Sequence, residues 1–165
     1  MVGDRLRARE RRSALAGKRI IVGKDNIVGP WVCSRIDGTW VPGRGSTIGL
    51  LHLEHGLIAG ALYEDCNGAN VLMHGAAVPG GAWLCREFLW FMFHYPFEQL
   101  AVRRITAVVP EGNAQARRFD EHLGFRLETR LKDAHPSGDL LIYEMRREDC
   151  RWLALKRQSS VQGVH

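Results

Sequence analysis

No two cysteines of this chain lie at short range. Cys33, Cys66, Cys85 and Cys150 are widely spaced and form no C-x-x-C pair. That pattern excludes a zinc ribbon and a secreted disulfide scaffold, and it points to a reducing, cytoplasmic setting. Long apolar runs are missing too: the most apolar stretch, FLWFMF from Phe88 to Phe93, is far too short to span a bilayer and reads as a buried helix. The N-terminal stretch is charged and has no continuous apolar segment, so neither a signal peptide nor a membrane partner is expected. No glycine loop leads into Gly-Lys-Ser/Thr and no three-glycine dinucleotide fingerprint is present, which removes the commonest nucleotide motifs. No metal-binding motif and no internal repeat is read.

What is present is an ordinary globular composition. The 165 residues are 45% hydrophobic and 25% charged, enough for one domain with a real core. The net charge is +5, and the excess is concentrated in the arginine-rich stretch from Asp4 to Arg19. Residues 1–18 therefore read as a basic, flexible arm, 19–153 as the folded body and 154–165 as a polar tail. Without the arm the body is close to neutral, which argues against a DNA-coating role and makes nucleic acid an unlikely partner.

Periodicity divides the body into alternating elements. RIIVGK (Arg19 to Lys24) has the β-branched density of a strand, and a helix is expected from about Val28 with Asn26 as a cap. The segments Thr47 to His55, Gly56 to Asp65 and Asn70 to Val78 are joined by short Gly- and Asn-containing turns and form an antiparallel meander. A first long helix is expected from Ala82 to Tyr95, with Pro96 ending it or sitting just beyond its last turn, then a strand from Arg103 to Pro110 parallel to the strand before the helix. A helix capped by Asn113 and stopped by Gly124 follows, and Phe125 to Asp133 and Asp139 to Arg147 close the chain as an antiparallel pair. The fold class is α/β, with a mixed, mainly antiparallel sheet, one parallel junction and flanking helices.

Two features carry chemistry. The loop AAVPGGAWL, Ala76 to Leu84, lies where a strand passes into a helix, and Gly80, Gly81 and Ala82 allow close backbone approach by an anion such as a diphosphate. In the Asn113 helix the apolar stripe Ala116, Phe119, Asp120 and Leu123 contains a carboxylate. Asp120 either sits at the edge of the stripe and reaches water or a nearby arginine, or is buried and must find a partner or take up a proton.

The element order, with N-x-x-A-x-x-F-x-x-x-L-G-F at Asn113 to Phe125, resembles the GNAT superfamily of acyl-CoA-dependent N-acyltransferases. The C-terminal segment from Leu123 is similar to the ribosomal-protein N-terminal acetyltransferases, and HYPFEQLAVRRITAVVPEGNAQARRFDEHLGF is similar to small GNAT proteins of tailed bacteriophages and prophages. The resemblance implies that the strands Asn70 to Val78 and Arg103 to Pro110 splay apart and admit acetyl-CoA as cosubstrate. Pantetheine would pair with the first strand at Ala76, Ala77 and Val78, and the diphosphate would rest on Gly80, Gly81, Ala82 and Trp83. Asn113 and Phe119 would contact the cofactor beyond the second strand. The loop departs from the family form by lacking its basic first residue, and Asp120 stands where many relatives keep a tyrosine that protonates the departing thiolate.

Acetyl transfer needs a neutral amine, a polarised carbonyl and an acid for the thiolate. His74, on the strand before the loop, is the candidate base, Asp120 the candidate acid, and Tyr143 a candidate lining of the acceptor pocket. The acceptor is a primary amine: a protein N-terminus, a lysine or a small amine. The aromatics Trp83, Phe88, Trp90, Phe91 and Phe93 surround more than one helix face, which a core explains in part and a homodimer contact would explain further. Two other readings remain, a non-catalytic CoA- or protein-binding protein of the same fold and a phage nucleic-acid-modifying factor.

Overall fold

The computed structural model describes residues 17–80 and 83–155. The order is β1 (Lys18–Val22), α1 (Asp25–Cys33), β2 (Gly45–His52), β3 (Gly56–Glu64), β4 (Asn70–Ala77), α2 (Arg86–His94), β5 (Arg104–Pro110), α3 (Ala114–Leu123), β6 (Arg126–His135) and β7 (Gly138–Arg146). Two short 3₁₀ turns, Arg147–Asp149 and Arg151–Ala154, follow. The strands form one sheet in the order β1-β2-β3-β4-β5-β7-β6. Its pairs are antiparallel except β4 with β5, and α2 is the crossover that a parallel pair requires.

Alternation along the strands sends apolar side chains to both faces. Ile48, Leu50, Val71, Met73, Ile105, Leu141 and Tyr143 join Phe88 and Phe93 of α2 and Leu123 of α3 in the main core. On the opposite face Leu62 packs with Val28, Val32 and Cys33 of α1. Glycine permits that second contact: a Cβ on Gly60 of β3 would stand 2.8 Å from Val32 Cγ2 and 3.0 Å from Val28 Cγ1.

Several boundaries differ from the sequence expectation. The helix expected from Val28 begins at Asp25, so Asn26 lies inside it and does not cap it; the Asn26 side chain instead accepts from Trp40 Nε1 at 3.4 Å. Pro30 sits mid-helix. The loss of one N–H there is tolerated because α1 is held by packing and by Asp25, whose carboxylate accepts from the Thr47 amide at 2.7 Å and hydroxyl at 2.8 Å. The first long helix starts at Arg86 and not at Ala82, because Cys85 is extended and Trp83 turns into the core. Pro96 sits just beyond its last residue, His94, as expected. The chain passes into a wider π turn, Tyr95–Gln99, with Leu100 N–H donating to the Tyr95 carbonyl at 3.0 Å, a geometry that accommodates a residue without an N–H. Trp83, Phe88 and Phe93 are buried; Trp90 and Phe91 are half-buried, and Trp90 stacks on His94 at 4.0 Å. Apart from Gly17 and Lys18, the basic arm lies outside the described residues, as does the tail beyond Leu155.

Gly60→Ala is expected to destabilise the protein by about 1–3 kcal/mol of overpacking, more than the 0.4–1 kcal/mol or so gained by stiffening the unfolded chain. Urea denaturation with an unchanged m-value would register it.

Candidate active site

The parallel contact of β4 with β5 is short. Asn70, Val71 and Leu72 pair with Arg104, Ile105 and Thr106. Beyond Leu72 and Thr106 the strands have no register, while β4 keeps pairing with β3 as far as Ala77 against Ala59. The β5-facing edge of β4 from Met73 to Ala77 therefore borders a gap and offers backbone groups to a ligand that can pair like a strand. A cross-strand hydrogen bond, Thr106 hydroxyl to Asn70 Oδ1 at 2.7 Å, sits within the closed end.

The gap has an aromatic wall. Phe119 of α3 lies over Gly75, where an added Cβ would meet Phe119 Cε1 at 3.4 Å. Trp83 stands edge-on to Phe119 at 4.9 Å between ring centroids. Trp83 is thus a core side chain and is not displayed on the turn. Of the turn itself, the Val78 amide donates to the Ile58 carbonyl, and Gly80 has φ +108 with open space around it. Ala76 and Ala77 are half-buried at the open end of β4. Gly81 and Ala82 lie outside the described residues. Asn113 does cap α3, its Oδ1 accepting from the Ala116 amide at 3.0 Å, and that bond occupies the oxygen.

One cation escaped the sequence reading. Arg86 opens α2 just beyond the turn, is exposed, and makes no hydrogen bond or ion pair among the described residues. A positive charge in the first turn opposes the helix dipole, and that local misfit is the signal that could have marked it.

The candidate acid and base occupy opposite faces of the sheet. His74 pairs with Leu62 and so projects to the α1 face, with Leu72 and Glu64. Its Nε2 stands 3.4 Å from Glu64 Oε2, and Glu64 is 3.8 Å from Arg44 Nε. Burial lowers the His74 pKa, aided by Arg44 and opposed by the charges of Glu64 and Asp65. Asp120 lies on the buried side of α3, on the other face, and is 8% exposed. Among the described residues nothing donates a hydrogen bond to its carboxylate. Burial, with a smaller push from Glu121, raises its pKa from 3.8 to about 7. Tyr143 does not line a pocket: it is wholly buried and its hydroxyl donates to Glu121 Oε1 at 2.8 Å, because the alternation of β7 directs it under α3.

A separate groove of about 370 Å³ at the closed end is lined by Ala69, Arg103, Arg104, Arg146, Arg147 and Glu148. Arg104, Arg146 and Arg147 are paired with Glu128, Glu144 and Glu98, so the groove is close to neutral and does not compete with the gap as a site for a charged ligand.

The sheet's central strands pair and then diverge, and α2 is the crossover between them. Solved structures of GNAT acetyltransferases share this fold. Spermidine N-acetyltransferase from Vibrio cholerae is similar at TM-score 0.64 and 14% identity, over 84% of this chain and 97% of that one. Ribosomal-protein-S5-alanine acetyltransferase from Vibrio fischeri is similar at TM-score 0.59 and 14% identity, over 81% and 94%. A GNAT-family acetyltransferase from Bacillus anthracis is similar at TM-score 0.52 and 18% identity, over 62% and 66%. No protein-family model and no curated protein matches the sequence. No helix among the described residues is long and apolar enough to cross a membrane.

The raised Asp120 pKa has a stability signature. The native state holds a proton that the unfolded chain releases above 3.8, so stability falls as pH rises from there to about 7 and then levels, a loss of roughly 4 kcal/mol. Asp120→Asn is expected to abolish that slope, and the variant should be the more stable protein at pH 8, measured by urea denaturation between pH 4 and 8.

Proposed function

We propose that this protein is an N-acetyltransferase that moves acetyl from acetyl-CoA to a primary amine by direct attack in a ternary complex. The observation that carries the reading is the open β4 edge from Met73 to Ala77 beside a diverging β5 in a fold otherwise found in acetyltransferases. The free edge suits the amides of pantetheine. Gly75, lacking a Cβ beneath Phe119, suits a thin chain passing over β4. The open turn at Val78 to Gly80, with Arg86 beyond it, suits a diphosphate and supplies the charge that the loop itself lacks.

The acceptor approaches from the α1 face, where Leu72, Val108 and Ile142 are half-buried beside His74. The amine must be neutral to attack, and His74, kept neutral by burial, takes its proton. Nitrogen bonds to the thioester carbonyl carbon, the C–S bond breaks, and the sulfur receives its proton from Asp120 on the other side of the gap. An ionised Asp120 would repel the thiolate, so a pKa near 7 lets it act where an ordinary aspartate would not. Glu64, against His74 Nε2, fixes the ring and leaves Nδ1 to face the acceptor.

A second reading is favoured by the Trp83–Phe119 pair, which occupies part of the gap wall: a protein of this fold without catalysis. Acetyl-CoA titration followed by thermal shift, with thiol release over N-terminal peptides, lysine peptides and polyamines, separates the two. A shift with turnover supports the enzyme, a shift without turnover supports the second reading, and no shift removes both CoA-dependent readings. Arg86→Ala is expected to weaken acetyl-CoA binding about tenfold, one charge-assisted contact of about 1.4 kcal/mol, with the acceptor KM unchanged.

Activity should be bell-shaped in pH. It rises as His74 loses its proton, below the ordinary histidine range, and falls above about 7 as Asp120 ionises. His74→Ala should remove the acid limb and lower kcat by about 10²–10⁴, while Asp120→Asn should remove the alkaline limb.

A further inference from the structure

The β2–β3 hairpin carries a second set of chemical groups that the acetyl-transfer reading leaves unused. His52, Glu54 and His55 fall within four consecutive residues, HLEH. The hairpin folds so that one ligating atom of each lies within 4.8 Å of the others, the one group of this kind among the described residues. We infer that this turn is a binding site for a single divalent transition-metal ion of borderline softness, with zinc the best fit.

The chemistry of the donor set selects the ion. Two imidazoles and one carboxylate, with the remaining positions open to water, suit zinc and its neighbours, whereas calcium and magnesium require all-oxygen shells. The spacing is close to what coordination needs: two ligand atoms bound at about 2.0–2.2 Å to a tetrahedral ion stand roughly 3.4 Å apart, so the three groups need only close slightly. The rings lie against each other, stacked with centroids 4.5 Å apart and planes 22° apart, and one ring must turn about its side-chain torsions for both in-plane lone pairs to meet a single ion. His52 is oriented by its own turn, Nδ1 accepting from the Glu54 amide at 3.2 Å. That lone pair therefore points into the turn, and an ion at Nδ1 would take the place of the amide proton.

The hairpin is also fastened to the start of the sheet. The Leu53 amide donates to the Gly17 carbonyl at 2.7 Å, and a Cβ at Gly17 would lie 3.6 Å from His52 Nε2. A bound ion would thus cross-link the turn at the point where β1 begins. All three ligands come from one turn, and none belongs to the gap between β4 and β5, so the ion has no part in acetyl transfer.

The test uses the full chain without an affinity tag and with Cys66 replaced by serine so that no exposed thiol competes, the other three cysteines being buried. Zn²⁺ is titrated calorimetrically, and Co²⁺ is added as a spectroscopic probe whose visible absorption reports nitrogen ligation in a low-symmetry site. The expected result is one ion per chain, a rise in Tm with Zn²⁺, and affinity at least tenfold weaker in each of His52→Ala and His55→Ala. His55 is exposed on the turn and His52 is half-buried at the end of β2, and far-UV circular dichroism would verify that both variants fold. Absence of binding at millimolar Zn²⁺, or the same affinity in both histidine variants as in the parent, would overturn the proposal.

Discussion

Three residue pairs hold the two parts of the sheet together. Asn70 to Leu72 against Arg104 to Thr106 is the whole of the contact between β4 and β5. It is fastened by the Thr106–Asn70 hydrogen bond and by the Arg103 and Arg104 amides donating to the Ala69 carbonyl. The rest of the architecture depends on that contact being short. Longer pairing would close the sheet and satisfy the β4 edge internally; none at all would leave β1–β4 and β5–β7 joined only through α2. Where pairing stops, backbone groups face a gap instead of a neighbour, and the candidate site is there because the sheet is incomplete.

Burial then sets the chemistry on each side of the gap. The same removal from water pushes Asp120 up and His74 down, and in both cases it is the largest cause. Desolvation disfavours whichever form is charged, so a carboxylic acid and an imidazole approach neutrality from opposite directions at the same pH. Both groups also escape full compensation. Asp120 has no donor among the described residues, and the carboxylate facing His74 is shared with Arg44. A strong ion pair at either position would have restored the charge and removed the capacity to give or take a proton near neutrality.

How much of this was legible varied with the range of the interaction. The cap at Asn113, the stop at Gly124 and the burial of Asp120 follow from helical periodicity and backbone preferences within ten residues, and the structure has all three. The meander and the single parallel junction were legible from short turns and one intervening helix. The start of α2 was not, since Trp83 leaves the helical pattern to pack on Phe119, a residue distant in sequence. Pro96 marked the end of α2, but the buried π turn that absorbs it beyond His94 depends on tertiary packing. Tyr143 could be placed on its strand but not on a face, and the face decides whether it meets an acceptor or Glu121. The metal-ligand set in HLEH was overlooked because His52, Glu54 and His55 converge only when the chain reverses at Gly56.

By itself the sequence determined the order of elements, the capping residues, the amphipathic stripe that buries Asp120 and the class of sheet. These rest on interactions between residues close along the chain, where periodicity and φ preferences suffice. Only the tertiary structure decided where β4 and β5 part, which sheet face each titratable group occupies, that the Arg86 side chain has no partner among the described residues, and in which direction burial moves His74 and Asp120. Those depend on packing between segments far apart in sequence, and desolvation is a property of the surroundings that pack around a residue and not of the residue itself.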